Sequence, residues 1–353
     1  MTEKVVIGNA ELWHGDCREV LPLLGKFDAV VTDPPYAKVK GDFDQEWSNR
    51  TGMLADVEAW IDAIVPVMKA NATLWWFAWP ALAGRIEDRI ARRLNVLAHV
   101  VWAKPTATGQ KCSKEALRAP MPLTERILMA EHYGADNMAL GEPGYMAKCD
   151  ELRGFVFEPL RAYLADEWAR AGLTKKDAER ATGTQMASHW FTRSQWALPT
   201  EAHYKVLRDR ANRSGQFEYL RREYEDLRRE YEDLRREYED LRRHFDCRGG
   251  DQYSDVWTFD PPRSNHGHPT EKPVPLMAHI VRLSVRPGAH AVDPFMGSGT
   301  TGVACMQLGR KFTGIERERR YFDIACERIS RAQAQGTLLP PEPPRECVQA
   351  GLL

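Results

Sequence analysis

The sequence predicts an α/β fold in which a helical domain interrupts a domain built on a largely parallel sheet. Short β-rich runs alternate with helix-like stretches over the first 135 residues, and the same alternation returns after about residue 275. The stretch between them is mostly helical in pattern and carries a seven-residue repeat. Alternating strands and helices are typical of parallel sheets. We therefore expect two separated segments of the chain to build one sheet.

The elements of this sheet follow the chain in order. The predicted strands cover residues 3–7, 28–32, 72–78 and 96–102, then 289–293 and 311–316, with helices over 300–308 and 317–332. We expect a first segment of the sheet domain over 1–135, an inserted domain over 136–250 and a second segment of the sheet domain over 251–335. Four prolines in 336–353 cannot continue a helix, so this end is predicted to be a flexible tail.

The composition excludes several classes of protein. Of 353 residues, 43% are hydrophobic and 28% are charged, and 49 Lys+Arg against 50 Asp+Glu give a net charge of -1. These values exclude disorder as the main state. We find neither the run of about 18 apolar residues that crosses a bilayer nor a signal peptide. The seven cysteines are never spaced C-x-x-C, so we expect neither a metal site nor a disulfide framework. Because an apolar run and a signal peptide are both missing, we expect a soluble, cytoplasmic protein with no membrane partner.

The inserted domain concentrates positive charge in a nearly neutral chain. Residues 161–213 hold ten Lys/Arg and six Asp/Glu, which is a net +4. A helix that ends at Gly172 and a capping box over Thr174–Asp177 predict a helix-turn-helix-like part over 159–213, a motif that places a helix in the major groove. Amide and guanidinium groups suit base edges, and lysines suit phosphates. The candidate DNA contacts in this domain are Lys175, Lys176, Gln185, Arg193 and Gln195. Lys104 and Lys111, in a polar loop after the predicted strand over 96–102, are further candidates.

A heptad repeat follows the helix-turn-helix-like part. The unit REYEDLR recurs at a period of seven and places leucine at every d position and an aromatic residue at every a position between residues 217 and 245. This spacing is typical of a coiled-coil seam and predicts a heptad-repeat helix over 217–245. The helix would form a homodimer or a spacer across DNA. A single helix laced by ion pairs, or one packed on its own domain, fits the same pattern.

A glycine-rich loop lies between a predicted strand and a predicted helix. Gly297, Gly299 and Gly302 fit the pattern G-x-G-x-x-G, in which glycines permit close backbone approach at a helix N-terminus. Glu316 ends the next strand, where a carboxylate can accept hydrogen bonds from ribose hydroxyls. The pattern predicts a cofactor that contains adenosine. A P-loop is excluded because Gly-Lys-Ser/Thr is absent, whereas a nicotinamide-dependent dehydrogenase remains an alternative.

A second motif, Asp33-Pro34-Pro35-Tyr36, ends a predicted strand. Proline stops a strand and holds the preceding residue extended, so the Asp33 carboxylate, the Pro34 carbonyl and the Tyr36 ring would face one pocket at the carboxyl end of the sheet. Two acceptors and an aromatic ring suit an exocyclic amino group on a planar base. The acceptors would orient the nitrogen lone pair for attack on a methyl sulfonium.

The motifs together resemble the S-adenosylmethionine-dependent amino-DNA methyltransferases over about two thirds of the chain. The matching motifs are Asp33-Pro34-Pro35-Tyr36, His268-Pro-Thr-Glu-Lys-Pro273, Asp293-Pro-Phe-Met-Gly-Ser-Gly-Thr-Thr301, and Gly314-Ile-Glu316 with Tyr321 and Arg328. Their order resembles the beta class, whose Rossmann-like sheet is circularly permuted. The resemblance implies S-adenosyl-L-methionine as cofactor, double-stranded DNA as partner, and a base flipped out of the duplex.

The resemblance also assigns roles to individual residues. The catalytic residues would be Asp33, Pro34, Pro35 and Tyr36. The cofactor would lie against Asp16, His268, Lys272, Asp293, Phe295, Gly297, Ser298, Gly299, Thr300 and Glu316. In this family a tetrad that begins with Asp usually accompanies N6-adenine methylation, and one that begins with Ser accompanies N4-cytosine methylation.

The function expected from the resemblance is therefore site-specific adenine methylation in DNA. A bacterial or phage source and a restriction-modification role are also implied. Three alternatives stay open at this point. The chain could methylate N4 of cytosine or an amino group in RNA, or it could be an inactive DNA-binding regulator on the same fold. A dehydrogenase explains less, because it gives the Asp33–Tyr36 motif no task.

Overall fold

The computed structural model describes residues 2–36, 50–104, 123–132, 145–247, 252–262, 268 and 270–335. Lys111, the tail over 336–353 and both expected borders of the inserted domain lie outside these residues. The chain divides into two compact units: a sheet unit, Met1–Tyr133 with His244–Leu353, and a helical unit, Gly134–Arg243. The sheet unit therefore resumes at His244, whereas the sequence patterns predict that its second segment begins at residue 251.

The sheet unit contains one sheet of nine strands. The strands are β1 (Glu3–Ile7), β2 (Ala10–His14), β3 (Phe27–Thr32), β4 (Met68–Ala78), β5 (Asn95–Ala103), β6 (Thr124–Glu131), β7 (Val256–Thr258), β8 (His290–Asp293) and β9 (Lys311–Glu316). Their order in the sheet is β1-β2-β9-β8-β3-β4-β6-β5-β7. Since β8 pairs with β3, the two separated segments of the chain build one sheet.

The sheet is mixed, so the expectation of parallel strands is only partly correct. Strands β2, β9, β8, β3 and β4 are parallel neighbours, whereas β6 runs antiparallel to both β4 and β5 and β1 runs antiparallel to β2. The sequence patterns missed β2, β6 and β7. Strand β2 forms a hairpin with β1 at one edge, the short β7 pairs with β5 at the other edge, and β6 lies between β4 and β5.

Helices cover both faces of the sheet. They are α1 (Cys17–Val20), α2 (Arg50–Ile64), α3 (Pro80–Ala91), α9 (Val274–Ser284), α10 (Thr300–Gln307) and α11 (Arg319–Gln335). Successive side chains of β4 point to opposite faces, as the period of two requires. Trp75 and Phe77 pack with α9, α10 and α11, and Leu74 and Trp76 pack with α1, α2 and α3. Burial on both faces explains why these strands read as continuous apolar runs.

The helical unit has its own core. Its helices are α4 (Tyr145–Val156), α5 (Glu158–Arg170), α6 (Lys175–Thr182), α7 (Glu201–Ala211) and α8 (Tyr224–Leu241). The Thr174 backbone N–H donates to the Asp177 carboxylate at 2.8 Å, and Gly183 ends α6 at φ +70°, as the capping pattern predicts. Trp190, Phe191 and Trp196 lie buried in this core.

The heptad-repeat helix is shorter than predicted. The repeat predicts a helix over 217–245, but α8 begins at Tyr224 and ends at Leu241. Leu220 adopts φ +51°, which a helix excludes, because its N–H donates to Glu167 at 2.9 Å and its carbonyl accepts from Tyr204 at 3.0 Å. Leu227 and Tyr238 are buried in the core of the helical unit itself, which favours the alternative of a helix packed on its own domain.

This packing predicts unequal costs for two leucines at the same heptad position. Leu227→Ala should lower the free energy of unfolding of the helical unit by about 2–5 kcal/mol, because a fully buried side chain leaves a cavity. Leu241 is 44% exposed, so Leu241→Ala should cost less than about 0.5 kcal/mol. Urea denaturation of the full chain at two protein concentrations measures both. Equal costs, or a midpoint that rises with concentration, would instead indicate an intermolecular seam.

Two features are absent from the part of the chain that the structure describes. No helix there is both long and apolar enough to span a membrane. No cluster of three or more His, Cys, Asp or Glu side chains with metal-binding geometry occurs among the same residues.

Candidate active site

Three neighbouring parallel strands of the sheet unit end at one cavity. Asp33 follows β3, Asp293 ends β8 and Glu316 ends β9, and all three carboxyl groups line the cavity. The carboxyl ends of parallel strands form the usual ligand-binding edge of such a sheet. The topology therefore places the two sequence motifs, which are more than 250 residues apart, in one site.

The glycine loop forms the turn between β8 and α10. Gly297 and Gly299 adopt φ +51° and +80°, a conformation that residues with a side chain rarely adopt. A Cβ atom on Gly299 would lie 2.9 Å from the Ala325 Cβ, so the loop also requires glycine to pack against α11. The Gly297 N–H donates to the Glu316 carboxylate at 2.9 Å. The loop is therefore held in shape by the strand that supplies its acidic partner.

Two of the carboxyl groups in the cavity are hard to ionise. Burial raises the pKa of Asp293 to about 7, although Thr301 Oγ1 donates to it at 2.6 Å and the Phe295 N–H at 3.0 Å. Burial likewise raises the pKa of Glu316 to about 7, against hydrogen bonds from the Gly297 and Glu318 N–H groups. A cationic ligand would favour the ionised form of both groups.

The opposite wall of the cavity is partly apolar. Phe295 and Trp60 meet edge to face, with their ring centroids 4.8 Å apart, and Ile315 lies nearby. Asp16 caps α1 and accepts hydrogen bonds from the Arg18 backbone N–H at 2.8 Å and from the Arg18 guanidinium at 2.7 Å. The Arg18 bonds hold the pKa of Asp16 below its usual value. This wall offers aromatic and aliphatic surface beside an ionised carboxylate.

A buried ion pair supports the glycine loop from behind. Arg328 on α11 donates to the Glu271 carboxylate at 2.9 Å and to the Ser298 carbonyl at 2.8 Å. Ser298 Oγ in turn donates to Glu271 at 3.2 Å. The sequence patterns did not assign a role to Glu271. The pairing fixes the segment before α9 against the loop.

His268 lies on the other side of the loop. Its ring meets the Tyr321 ring at a centroid distance of 4.4 Å, and a Cβ atom on Gly297 would lie 3.0 Å from its Nε2. Burial, reinforced by Lys272 and Arg328, lowers the pKa of His268 to about 4. The imidazole is therefore neutral at pH 7 and fills the space that the missing Gly297 side chain leaves.

The Asp33–Tyr36 motif leaves β3 and enters the cavity as expected from its prolines. The Tyr36 hydroxyl donates to Asp33 Oδ1, and Lys272 Nζ donates to Asp33 Oδ2. Burial raises the pKa of Asp33, although the Lys272 charge opposes the rise. Burial also disfavours the Lys272 ammonium, but its two carboxylate neighbours outweigh that effect and raise its pKa. Asp33 and Lys272 therefore form a buried ion pair beside Tyr36.

The second carboxylate neighbour of Lys272 is Glu125, which the sequence patterns missed. Glu125 lies near the start of β6, and its carboxylate is 3.4 Å from Lys272 Nζ and 3.5 Å from the Tyr36 hydroxyl. Lys104 donates to its other oxygen. Burial opposes ionisation of Glu125, but Lys272 and Lys104 outweigh it and lower the pKa.

Nearly all residues predicted for catalysis and cofactor binding line this one cavity. The lining includes Asp16, Asp33, Pro34, Pro35, Tyr36, His268, Lys272, Asp293, Phe295, Gly297, Ser298, Thr300 and Glu316. Gly299 is not part of the lining and instead packs on α11.

The residues predicted to contact DNA fall in different places. Lys104 donates to Glu125 and lies over the Trp102 ring inside the sheet unit. In the helical unit, Lys175, Lys176 and Gln185 are exposed, and Gln195 is exposed at φ +54°. Arg193 is also exposed and forms an ion pair with Glu158 at 3.2 Å.

Comparison with known proteins adds a family and several relatives. Residues 27–327, most of the chain, match the sequence profile of a family described as DNA methylase. The type II methyltransferase M2.LlaDCHI of Lactococcus lactis subsp. cremoris is 40% identical over 91 residues, which are 25% of this chain and 34% of that protein. The type II methyltransferase M2.DpnII of Streptococcus pneumoniae is 43% identical over 84 residues, 23% of this chain and 31% of that protein. The chain thus spans about a third of the length of these curated relatives.

Solved structures share the fold. A complex of M1.HpyAVI with SAM superposes with a TM-score of 0.50 at 18% identity, covering 91% of this chain and 98% of the other. The cytosine-N4-specific PvuII DNA methyltransferase superposes with a TM-score of 0.51 at 12% identity, covering 92% and 87%. The α/β sheet described above is thus also found in these methyltransferases.

Proposed function

This chain belongs to the N6/N4 family of DNA methylases, and from that premise we propose that it transfers a methyl group from S-adenosyl-L-methionine to an exocyclic amino group of a base in double-stranded DNA. The observation that carries the proposal is the convergence of the Asp33–Tyr36 motif and the glycine loop on one cavity. Amino methylation needs both groups that accept hydrogen bonds from the amine and a loop that binds the cofactor. A dehydrogenase would need only the second.

The residues of the cavity fit S-adenosyl-L-methionine. The Asp293 and Glu316 carboxyl groups suit a ligand with positive charge and ribose hydroxyls, and the Phe295, Trp60 and Ile315 wall suits a purine ring. The small residues of the Gly297–Thr300 loop leave room at the N-terminus of α10. When bound, the cofactor supplies an electrophilic methyl group. Asp16, His268 and Lys272 complete the proposed cofactor surroundings.

In the proposed mechanism, the protein acts by orienting the amine. Asp33 and the Pro34 carbonyl accept the two N–H bonds of the target amino group, which keeps the nitrogen lone pair directed at the methyl group. Tyr36 stacks on the base after it leaves the duplex, a step that costs a few kcal/mol. Asp33 is also placed to accept the proton that the amine loses after transfer. Most of the rate enhancement then comes from orientation and electrostatics.

We assign target recognition to the helical unit. The basic 161–213 stretch and the exposed side chains of Lys175, Lys176 and Gln185 support this assignment. Arg193 and Gln195, which are also exposed, complete the set of residues that we propose to contact DNA in this unit. The apolar side of α8 packs within its own unit, so a homodimer through this helix would need contacts outside the buried Leu227 and Tyr238.

We propose N6 of adenine as the methylated atom, because the tetrad begins with Asp. The order of the two motifs along the chain supports the circularly permuted beta class. The structural neighbours include a cytosine-N4-specific enzyme, so base choice requires a direct experiment.

The deciding experiment is product analysis. The purified protein is incubated with unmethylated genomic DNA and cofactor that carries a deuterated methyl group, and the digested nucleosides are measured by mass spectrometry. We expect labelled N6-methyladenine. Labelled N4-methylcytosine would keep the mechanism and reverse the base, and label only on RNA would change the substrate. An absence of label on any nucleic acid would favour an inactive DNA-binding regulator.

A further inference from the structure

Glu125 lies beside the amine-binding motif, yet the proposed mechanism gives it no task. It is on β6, far in sequence from both motifs, and its carboxylate is 16% exposed. The pairing of β6 with β5 places Glu125 opposite Trp102, so the sheet itself fixes its position. Lys104 donates to Oε1, and Oε2 faces Lys272 Nζ and the Tyr36 hydroxyl.

Both carboxylate oxygens of Asp33 are already engaged within the described part of the chain. The Tyr36 hydroxyl donates to Oδ1, and Lys272 Nζ donates to Oδ2. The proposed mechanism requires Asp33 to accept a hydrogen bond from the target amine. A carboxylate oxygen can accept two hydrogen bonds, so the amine competes with these donors for Asp33, and the charged Lys272 is the stronger competitor.

Glu125 offers the same alternative acceptor to both donors. Its Oε2 lies 3.4 Å from Lys272 Nζ and 3.5 Å from the Tyr36 hydroxyl oxygen. A shift of roughly half an ångström would bring either donor to an ordinary hydrogen-bond distance. Lys272 is 5% exposed, so solvent cannot stabilise its ammonium group if it leaves Asp33. It then needs another carboxylate partner.

We propose that Glu125 is a positioning residue that draws the Lys272 ammonium off Asp33 when the amino group of the target base binds that carboxylate. This inference rests on the proposed function. Lys272 keeps a carboxylate partner throughout, and Asp33 keeps the Tyr36 hydroxyl while it gains an N–H of the amine. No proton or covalent bond needs to change place during the exchange.

The test compares single-turnover methylation of genomic DNA, with enzyme in excess, for the unaltered protein and five variants. Glu125→Gln keeps the size of the side chain but removes the charge that attracts Lys272, so we expect the methylation rate to fall at least tenfold. The cofactor dissociation constant should stay within twofold, because Glu125 does not line the cofactor side of the cavity. Glu125→Asp keeps the charge and should recover part of the rate.

The double variant separates positioning from a merely structural role. If Glu125 acts by drawing Lys272 off Asp33, it has no such task in a Lys272→Met background. Adding Glu125→Gln to Lys272→Met should then lower the rate less than twofold. A double variant whose rate loss equals the product of the two single losses would overturn the proposal. A Glu125→Gln rate equal to that of the unaltered protein would overturn it as well.

Glu131→Gln is the matched control, since Glu131 is a buried carboxylate on the same strand that does not line the cavity. We expect it to change the melting temperature without changing the methylation rate. A rate loss in Glu131→Gln equal to that in Glu125→Gln would mean that general damage to β6 is responsible. If the unaltered protein forms no methylated nucleoside, the proposed function fails, whereas an active protein with an indifferent Glu125→Gln variant refutes only the role of Glu125.

Discussion

Replacing Asp33 with alanine is expected to lower the rate of methyl transfer by about 10²–10³-fold while the affinity for S-adenosyl-L-methionine changes little. Asp33 contacts Tyr36 and Lys272 on the side of the cavity where the amine is proposed to bind. The variant therefore removes an acceptor of the amine and leaves the cofactor loop in place. Product formation by mass spectrometry and cofactor binding by titration calorimetry measure the two effects.

The alanine variant has a structural cost that a second variant controls. Lys272 is buried, and removing its partner from a buried ion pair typically costs about 3–5 kcal/mol, although Glu125 remains near it here. Asp33→Asn keeps the shape and a carbonyl acceptor, so it should retain more stability and still lose most of the rate. Melting temperatures report the difference. Loss of cofactor binding in Asp33→Asn, with the fold intact, would show that Asp33 belongs to the cofactor site.

Local patterns predicted the parts of the fold whose signals are local. The runs over 3–7 and 311–316 became strands with the predicted bounds, because each is a compact β-rich run that ends in a turn. The stretch that became β6 opens with Thr124, Glu125 and Arg126, which do not indicate a buried strand. That segment is a strand because β4 and β5 hydrogen-bond to it on both sides, a long-range contact that no local pattern contains.

The same distinction explains what could be predicted of the site. The glycine loop and the Asp33–Tyr36 motif carry their chemistry in adjacent residues, so the sequence alone identifies both. Glu125 contacts Lys104 and Lys272, which lie in other parts of the chain, so no local pattern identifies it. The start of α8 shows the opposite error, since the a/d pattern of the heptads extends back through Leu220 while tertiary hydrogen bonds hold that residue out of a helix.

Affinity for S-adenosyl-L-methionine is expected to rise as the pH rises toward 7 and to level off above it. Burial raises the pKa of Glu316 and of Asp293 to about 7, so below that pH both carboxyl groups are largely protonated in the free protein. A cationic ligand with ribose hydroxyls favours their ionised form and lowers both pKa values in the complex. Binding below pH 7 must then release protons, and each proton released strengthens binding by up to about tenfold per pH unit.

Titration calorimetry between pH 5.5 and 8, in two buffers of different ionisation enthalpy, measures both the affinity and the number of protons released. Glu316→Gln cannot titrate, so it should bind more weakly and with a flatter pH dependence. Asp16→Asn is the matched control: Arg18 keeps the pKa of Asp16 low, so the carboxylate is already ionised across this range. That variant should lose affinity equally at every pH. A Glu316→Gln variant that keeps the full slope would assign the titration to Asp293, and a pH-independent affinity in the unaltered protein would refute a cofactor that binds the ionised forms.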